Sequence, residues 1–156
     1  MRPEQSKLKR GTTMAVLILY ATKSGATEQC AKVLSEELPH SKLCNIELEK
    51  PSLEAFDSII VGAGVRDEKI YKAIRDFIKK NKDELLNKKM GYYICNEKPK
   101  TTEELIEKNF PDDLKKAAIC IESFGGYKAY KAPKEGTDQL KGIFVDKVRE
   151  FSKNFK

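Results

Sequence analysis

Missing from the 156-residue sequence is any apolar run near the roughly 20 residues that cross a bilayer, since the longest, such as Ala15 to Ala21, fall far short. No basic-then-apolar segment with a small-residue cleavage site opens the chain, so no secretory signal pattern is present. The four cysteines, Cys30, Cys44, Cys95 and Cys120, are widely spaced and form no C-x-x-C pair. A chain this long needs no covalent staples, so reduced thiols in the cytoplasm are the expectation. The single histidine, His40, follows Pro39 and has no cysteine or carboxylate companion nearby. It therefore carries no acid–base or metal-binding assignment, and no metal site is expected. Neither G-x-x-x-x-G-K-[ST] nor G-x-G-x-x-G occurs, which sets aside a triphosphate P-loop and a dinucleotide fingerprint.

What is present suits one domain with a sizeable core: 40% of the residues are hydrophobic. Residues 1–13 show no periodic apolar pattern, and Met14 stands directly before the first strand-like run. This reads as a disordered leader or an expression remnant ahead of a domain spanning 14–156. The leader carries Arg2, Lys7, Lys9 and Arg10 against Glu4, four positive charges minus one negative, or +3 of the net +6. The remaining +3 is spread through an even mixture of lysine and glutamate. It reads as a solvated exterior, with recruitment of an acidic partner as the sharper alternative.

Ala15 to Ala21 is apolar without polar alternation, as expected of a strand covered on both faces. A short polar loop follows, then Ala26, Cys30, Val33, Leu34 and Leu38 recur at helical spacing until Pro39 stops the helix. Lys42 to Leu48 alternates, with Cys44, Ile46 and Leu48 inward, and predicts an edge strand. Ser58 to Gly64 predicts a third buried strand, Ile70, Ile74, Phe77 and Ile78 a helix reaching Leu85 or Leu86, and Lys89 to Cys95 a fourth strand. Thr101-Thr102-Glu103-Glu104 matches a capping box, with Thr101 as N-cap of a helix running to about Asn109 before Pro111. Ala117 to Phe124 reads as a fifth strand, and Leu140, Phe144, Val148, Phe151 and Phe155 as the stripe of a closing helix. Alternating buried strands and helices demand a parallel sheet, so the class is doubly wound α/β. The link from Glu49 to Asp57 is too short for a well-formed helix.

In an open parallel sheet, ligands bind beyond the carboxyl ends of the strands, so the loops after strands one, three and four matter most. The first contains Thr22-Lys23-Ser24-Gly25-Ala26-Thr27. Three hydroxyls share a six-residue turn, Gly25 permits close backbone approach, and the helix behind it aims free N–H groups at the same point. That combination suits a dianionic phosphate. The plainer alternative is that a hydroxyl caps the helix and Gly25 serves the turn.

In position and composition this loop resembles the FMN phosphate loop of the flavodoxin family, and the fold match runs roughly from Met14 to Phe155. The resemblance implies a five-stranded sheet of order 2-1-3-4-5 with helices on both faces, and FMN as cofactor. It implies that Thr22, Ser24 and Thr27 hydrogen-bond the phosphate, that backbone amides of the loop including Gly25 and Ala26 complete the cradle, and that Lys23 adds peripheral charge. Gly62-Ala63-Gly64-Val65-Arg66 before a helix with Tyr71, and Cys95-Asn96-Glu97-Lys98-Pro99 before Asn109-Phe110, resemble the subgroup that includes the menaquinone-dependent protoporphyrinogen oxidases. Carried over by position, Gly64, Val65 and Arg66 flank one side of the isoalloxazine ring and Cys95, Asn96 and Glu97 the other. These loops hold no Trp or Tyr at their tips, and only Gly125 to Thr137 stands where that subgroup has a long basic, aromatic insertion.

Within that segment Tyr127, Lys128, Tyr130 and Lys131 alternate, an ordinary surface loop or a basic-aromatic lip for an acidic or planar substrate. Cys95 is either a thiol tuning the flavin or a small buried residue at a strand end. Arg66 either neutralises a reduced flavin or a substrate carboxylate, or pairs with Asp67 and Glu68. The expectation is an FMN-dependent oxidoreductase that moves electrons or hydride, related to protoporphyrinogen oxidation. A flavodoxin-type electron carrier and a flavin-free interaction module are the alternatives. Implied partners are a small molecule or a redox protein, with no nucleic acid and no stable membrane insertion; a homodimer is left open.

Overall fold

The computed structural model describes residues 15–21, 25–66, 68–96, 102–126 and 133–156. In chain order the elements are β1 (Val16–Ala21), α1 (Ala26–Glu37), β2 (Ser41–Asn45), β3 (Ser58–Arg66), α2 (Lys72–Leu86), β4 (Lys89–Cys95), α3 (Thr102–Asn109), α4 (Asp112–Ala117), β5 (Cys120–Ser123) and α5 (Val145–Ser152), closed by a 3-10 turn at Lys153–Phe155. The five labelled strands are parallel and lie in the order β2-β1-β3-β4-β5, and a two-residue strand, Lys69–Ile70, returns antiparallel along β3. This is the expected doubly wound order.

Strand periodicity divides the core in two. Val16, Ile18, Tyr20, Ile60, Tyr93 and Cys95 face α1 and α5, meeting Val33, Leu34, Val148 and Phe151. Leu17, Leu19, Val61, Tyr92 and Ile94 face the opposite way, against Ile74 and Phe77 of α2, Leu105 of α3 and Leu114 of α4. β1 is buried along its whole length, which explains why it shows no polar alternation.

Five expectations shift. Ile70, read into the second helix, lies in the short return strand, and α2 begins at Lys72. The second strand ends at Asn45, not Leu48, because a turn begins there: Asn45 Oδ1 accepts from Glu47 N at 3.0 Å, and the Asn45 carbonyl accepts from Leu48 N at 2.9 Å. Leu48 is therefore 82% exposed instead of facing inward. The third strand runs on to Arg66, carried by its antiparallel return. Pro111 ends α3 but also stands as N-cap of α4, so the fifth strand starts only at Cys120. The closing helix starts at Val145, since Gly142 is left-handed (φ 92) and Asp138 Oδ1 holds Leu140 N at 2.9 Å in a local turn. Between β2 and β3 the chain makes turns without a helix, and Thr101, the expected cap of α3, lies outside the described residues.

Candidate functional site

The carboxyl ends of β1, β3 and β4 meet at one edge of the sheet, where the order reverses between β1 and β3. β1 stops at Ala21, and α1 starts on Gly25, which adopts φ 97, ψ −7. Only glycine takes that conformation without a Cβ penalty. Helix geometry leaves the N–H groups of Ala26, Thr27 and Glu28 without partners inside α1, at its positive dipole end. Thr22, Lys23 and Ser24 lie outside the described residues.

Thr27 is fastened twice. Its buried hydroxyl donates to the Ala21 carbonyl at 2.8 Å, and its carbonyl accepts from the Tyr93 hydroxyl at 2.8 Å. The first bond differs from the role the resemblance implies, because a hydroxyl has one proton and this one is committed to the end of β1. In this geometry Thr27 offers an anion its main-chain N–H. Tyr93 reaches α1 by passing over Gly62 of β3, where a Cβ would lie 2.0 Å from the ring. It stacks on Phe124 at 4.8 Å, and burial holds its hydroxyl protonated well above the usual tyrosine range. Beside the loop, Tyr20 donates to Glu28 at 3.2 Å, and burial, then the Glu28 charge, pushes it up to about 12.

On the β3 side, Val65 is buried and Gly64 accepts from Tyr71 N at 3.1 Å. The return strand is clamped by Asn109, whose Oδ1 accepts from Ile70 N at 3.1 Å while its Nδ2 donates to Glu68 O at 3.0 Å and Leu105 O at 2.9 Å. Glu68, with φ 65, pairs with Lys108 at 3.1 Å. On the β4 side, Asn96 is buried and its Oδ1 accepts from Ser123 Oγ at 2.5 Å; Ser123 Oγ in turn accepts from Gly125 N at 3.3 Å. Cys95 is buried against Cys30. The Arg66 side chain, Asp67, Glu97, Tyr127, Lys128, Tyr130 and Lys131 lie outside the described residues.

Of the residues singled out from sequence, the fold thus brings Gly25, Ala26, Thr27, Gly64, Val65, Cys95 and Asn96 to one edge. Tyr93 and Ser123 were missed as parts of the frame, and Asn109, quoted for the resemblance, was given no role in it. Tyr93 looks like any apolar strand residue in Lys89 to Cys95, and only the packing over Gly62 shows where its hydroxyl goes. The donor set at the α1 corner, backbone N–H groups at a positive helix end, can hold an oxyanion without any cation. Among the described residues no three metal-binding side chains gather.

A family model described as flavodoxin domain matches residues 17–134. The chain belongs to the flavodoxin-domain family. Among curated relatives, the protoporphyrinogen IX dehydrogenase (quinone) of Escherichia coli K12 is 30% identical over 88 residues. Those residues are 53% of this chain and 49% of the relative, so the alignment spans about half of each. Among solved structures, flavodoxin 1 from Bacillus cereus superposes with TM-score 0.59 at 19% identity, over 90% of this chain and 96% of that one. A Fusobacterium nucleatum flavodoxin variant, solved bound to flavin mononucleotide, gives 0.53 at 14%, over 90% and 96%. No helix among the described residues of this flavodoxin-domain protein is long and apolar enough to cross a membrane.

Proposed function

We propose that this chain is an FMN-binding flavoprotein acting as an oxidoreductase, with the FMN phosphate seated at the amino end of α1. The observation that carries the reading is the left-handed Gly25 opening α1 directly beyond the central strand, at the point where sheet order reverses. Family membership and the likeness to an FMN-bound flavodoxin support the choice of anion.

On this reading the N–H groups of Ala26, Thr27 and Glu28, with Thr22, Lys23 and Ser24 before them, hold the phosphate. The hydroxyls of Thr27 and Tyr93 set the loop's position by binding backbone carbonyls. Gly64, Val65 and Arg66 on one side and Cys95, Asn96 and Glu97 on the other flank the ring. Bound FMN supplies one- or two-electron transfer, and the protein supplies orientation and exclusion of water. The alignment with protoporphyrinogen IX dehydrogenase supports a reducing substrate of the porphyrinogen class, for which Tyr127 and Lys128 are the proposed contacts. A cytoplasmic setting and a small-molecule or protein electron partner complete the proposal.

The test is an absorption spectrum of the purified protein before and after adding FMN, followed by stepwise reduction with dithionite. Bound oxidised flavin bands are expected, and direct two-electron bleaching favours the enzyme. A protein that stays colourless and leaves free FMN fluorescence unquenched overturns the assignment. A long-lived semiquinone redirects it to a one-electron carrier.

A further inference from the structure

The cysteines lie far apart along the sequence, yet the fold gathers two of them. Cys30 of α1 and Cys95, the last residue of β4, bring their Sγ atoms to 3.6 Å across 65 positions of chain. They are 0% and 5% exposed. Their meeting follows from the two periodicities. Cys30 lies three residues beyond Thr27 on the helix and Cys95 two beyond Tyr93 on the strand, so the thiol pair forms the next rung after the Tyr93–Thr27 bond. The other two thiols are occupied elsewhere: Cys44 Sγ lies 3.9 Å from the Glu49 carbonyl, and Cys120 Sγ 3.7 Å from Asn154 Nδ2.

We propose that Cys30 and Cys95 form a dithiol–disulfide centre that exchanges with low-molecular-weight disulfides and, when oxidised, bonds α1 to the end of β4. Cys95, at the end of its strand, is the entry thiol, reached when the buried pair opens transiently. As thiolate it attacks one sulfur of the small disulfide, forming a mixed disulfide and releasing one small thiolate. Cys30 then attacks the Cys95 sulfur and expels the second, so two cysteine thiols and one small disulfide become one protein disulfide and two small thiols. The two protons lost by the cysteines end on the released thiols. Closing the contact to a bond of about 2.05 Å needs a contraction of roughly 1.5 Å. Burial and the Cys30 contact hold the Cys95 thiol well above its ordinary range, which makes the exchange slow. The centre is defined by the protein's own sulfurs and stands whether or not flavin occupies the neighbouring corner.

The experiment incubates the full chain with excess oxidised glutathione, then counts free thiols, maps disulfide-linked peptides and measures Tm. The expected product has lost two of its four thiols, yields one linked peptide pair containing Cys30 and Cys95, and melts about 10 °C higher, since the bond closes a long loop. In Cys30→Ser the reaction stops at one glutathione adduct on Cys95 with no cross-link. Where that variant folds poorly, Cys95→Ser should lose the cross-link in the same assay. Glutathione found only on Cys120 or Cys44, or a thiol count unchanged after prolonged incubation of the parent chain, overturns the proposal. An FMN titration of both forms is read separately: failure to bind flavin counts against the proposed function and leaves the cross-link result intact.

Discussion

Tyr92 and Tyr93 are neighbours on β4 and point to opposite faces of the sheet, and their hydroxyls meet opposite fates. Tyr93 donates to the Thr27 carbonyl, whereas the buried hydroxyl of Tyr92 has no partner among the described residues. Removing a paired group leaves a buried acceptor unsatisfied, while removing an unpaired one relieves a desolvation cost. Tyr93→Phe should therefore destabilise by about 1 to 3 kcal/mol and weaken FMN binding by loosening the start of α1. Tyr92→Phe should stabilise by about 1 kcal/mol. Urea unfolding of the two variants checks the pair, and equal signs would contradict the hydrogen-bond assignment. Gly62→Ala should cost about 1 to 3 kcal/mol, because its Cβ would occupy the space of the Tyr93 ring.

At the scale of elements, α3 acts as a brace for the β3 return. Asn109 satisfies a main-chain N–H and two carbonyls at once, linking its own helix to Glu68 and Ile70. Asn109→Ala should lower stability by about 2 kcal/mol, with the loss concentrated where Val65 pairs with Ile70. Hydrogen exchange should show Ile70 N–H losing protection while β1 keeps its own; uniform change along the chain would argue against a local brace. Gly25→Ala strains a left-handed backbone and should cost about 1 to 2 kcal/mol, with FMN affinity falling by more than that stability loss explains. The alternating reading of Lys42 to Leu48 failed at this scale, because side-chain capping by Asn45 outcompeted strand continuation, and alternation carries no record of that contest.

For the whole molecule, alkaline pH is the sensitive side. Burial pushes Tyr20 up to about 12 and Cys44 and Cys120 up to about 11, from ordinary values of 10.0, 9.0 and 9.0. Each group is neutral when protonated and holds its proton more tightly folded than unfolded. The stability so conferred is fully present below about pH 9 and is lost as pH rises through 11 to 12. Thermal melts from pH 7 to 12 should therefore show a Tm insensitive to these groups near neutrality and falling above about pH 9. A Tm that stays level to pH 11 would mean that these groups titrate in the open.

The order and type of the main elements, and the loop after the first strand, were legible because uninterrupted apolar runs, helical periodicity and hydroxyl-glycine composition are local properties of the chain. Sequence by itself determined that β1 is central, that α1 begins near Gly25, and that the class is doubly wound α/β. Only the tertiary structure decided that the Thr27 hydroxyl binds Ala21, that Tyr93 crosses Gly62 to reach α1, and that Cys30 meets Cys95. The last two are contacts between residues some 65 positions apart, and they exist because two elements pack face to face with commensurate repeats. No local pattern encodes which helix will lie over which strand.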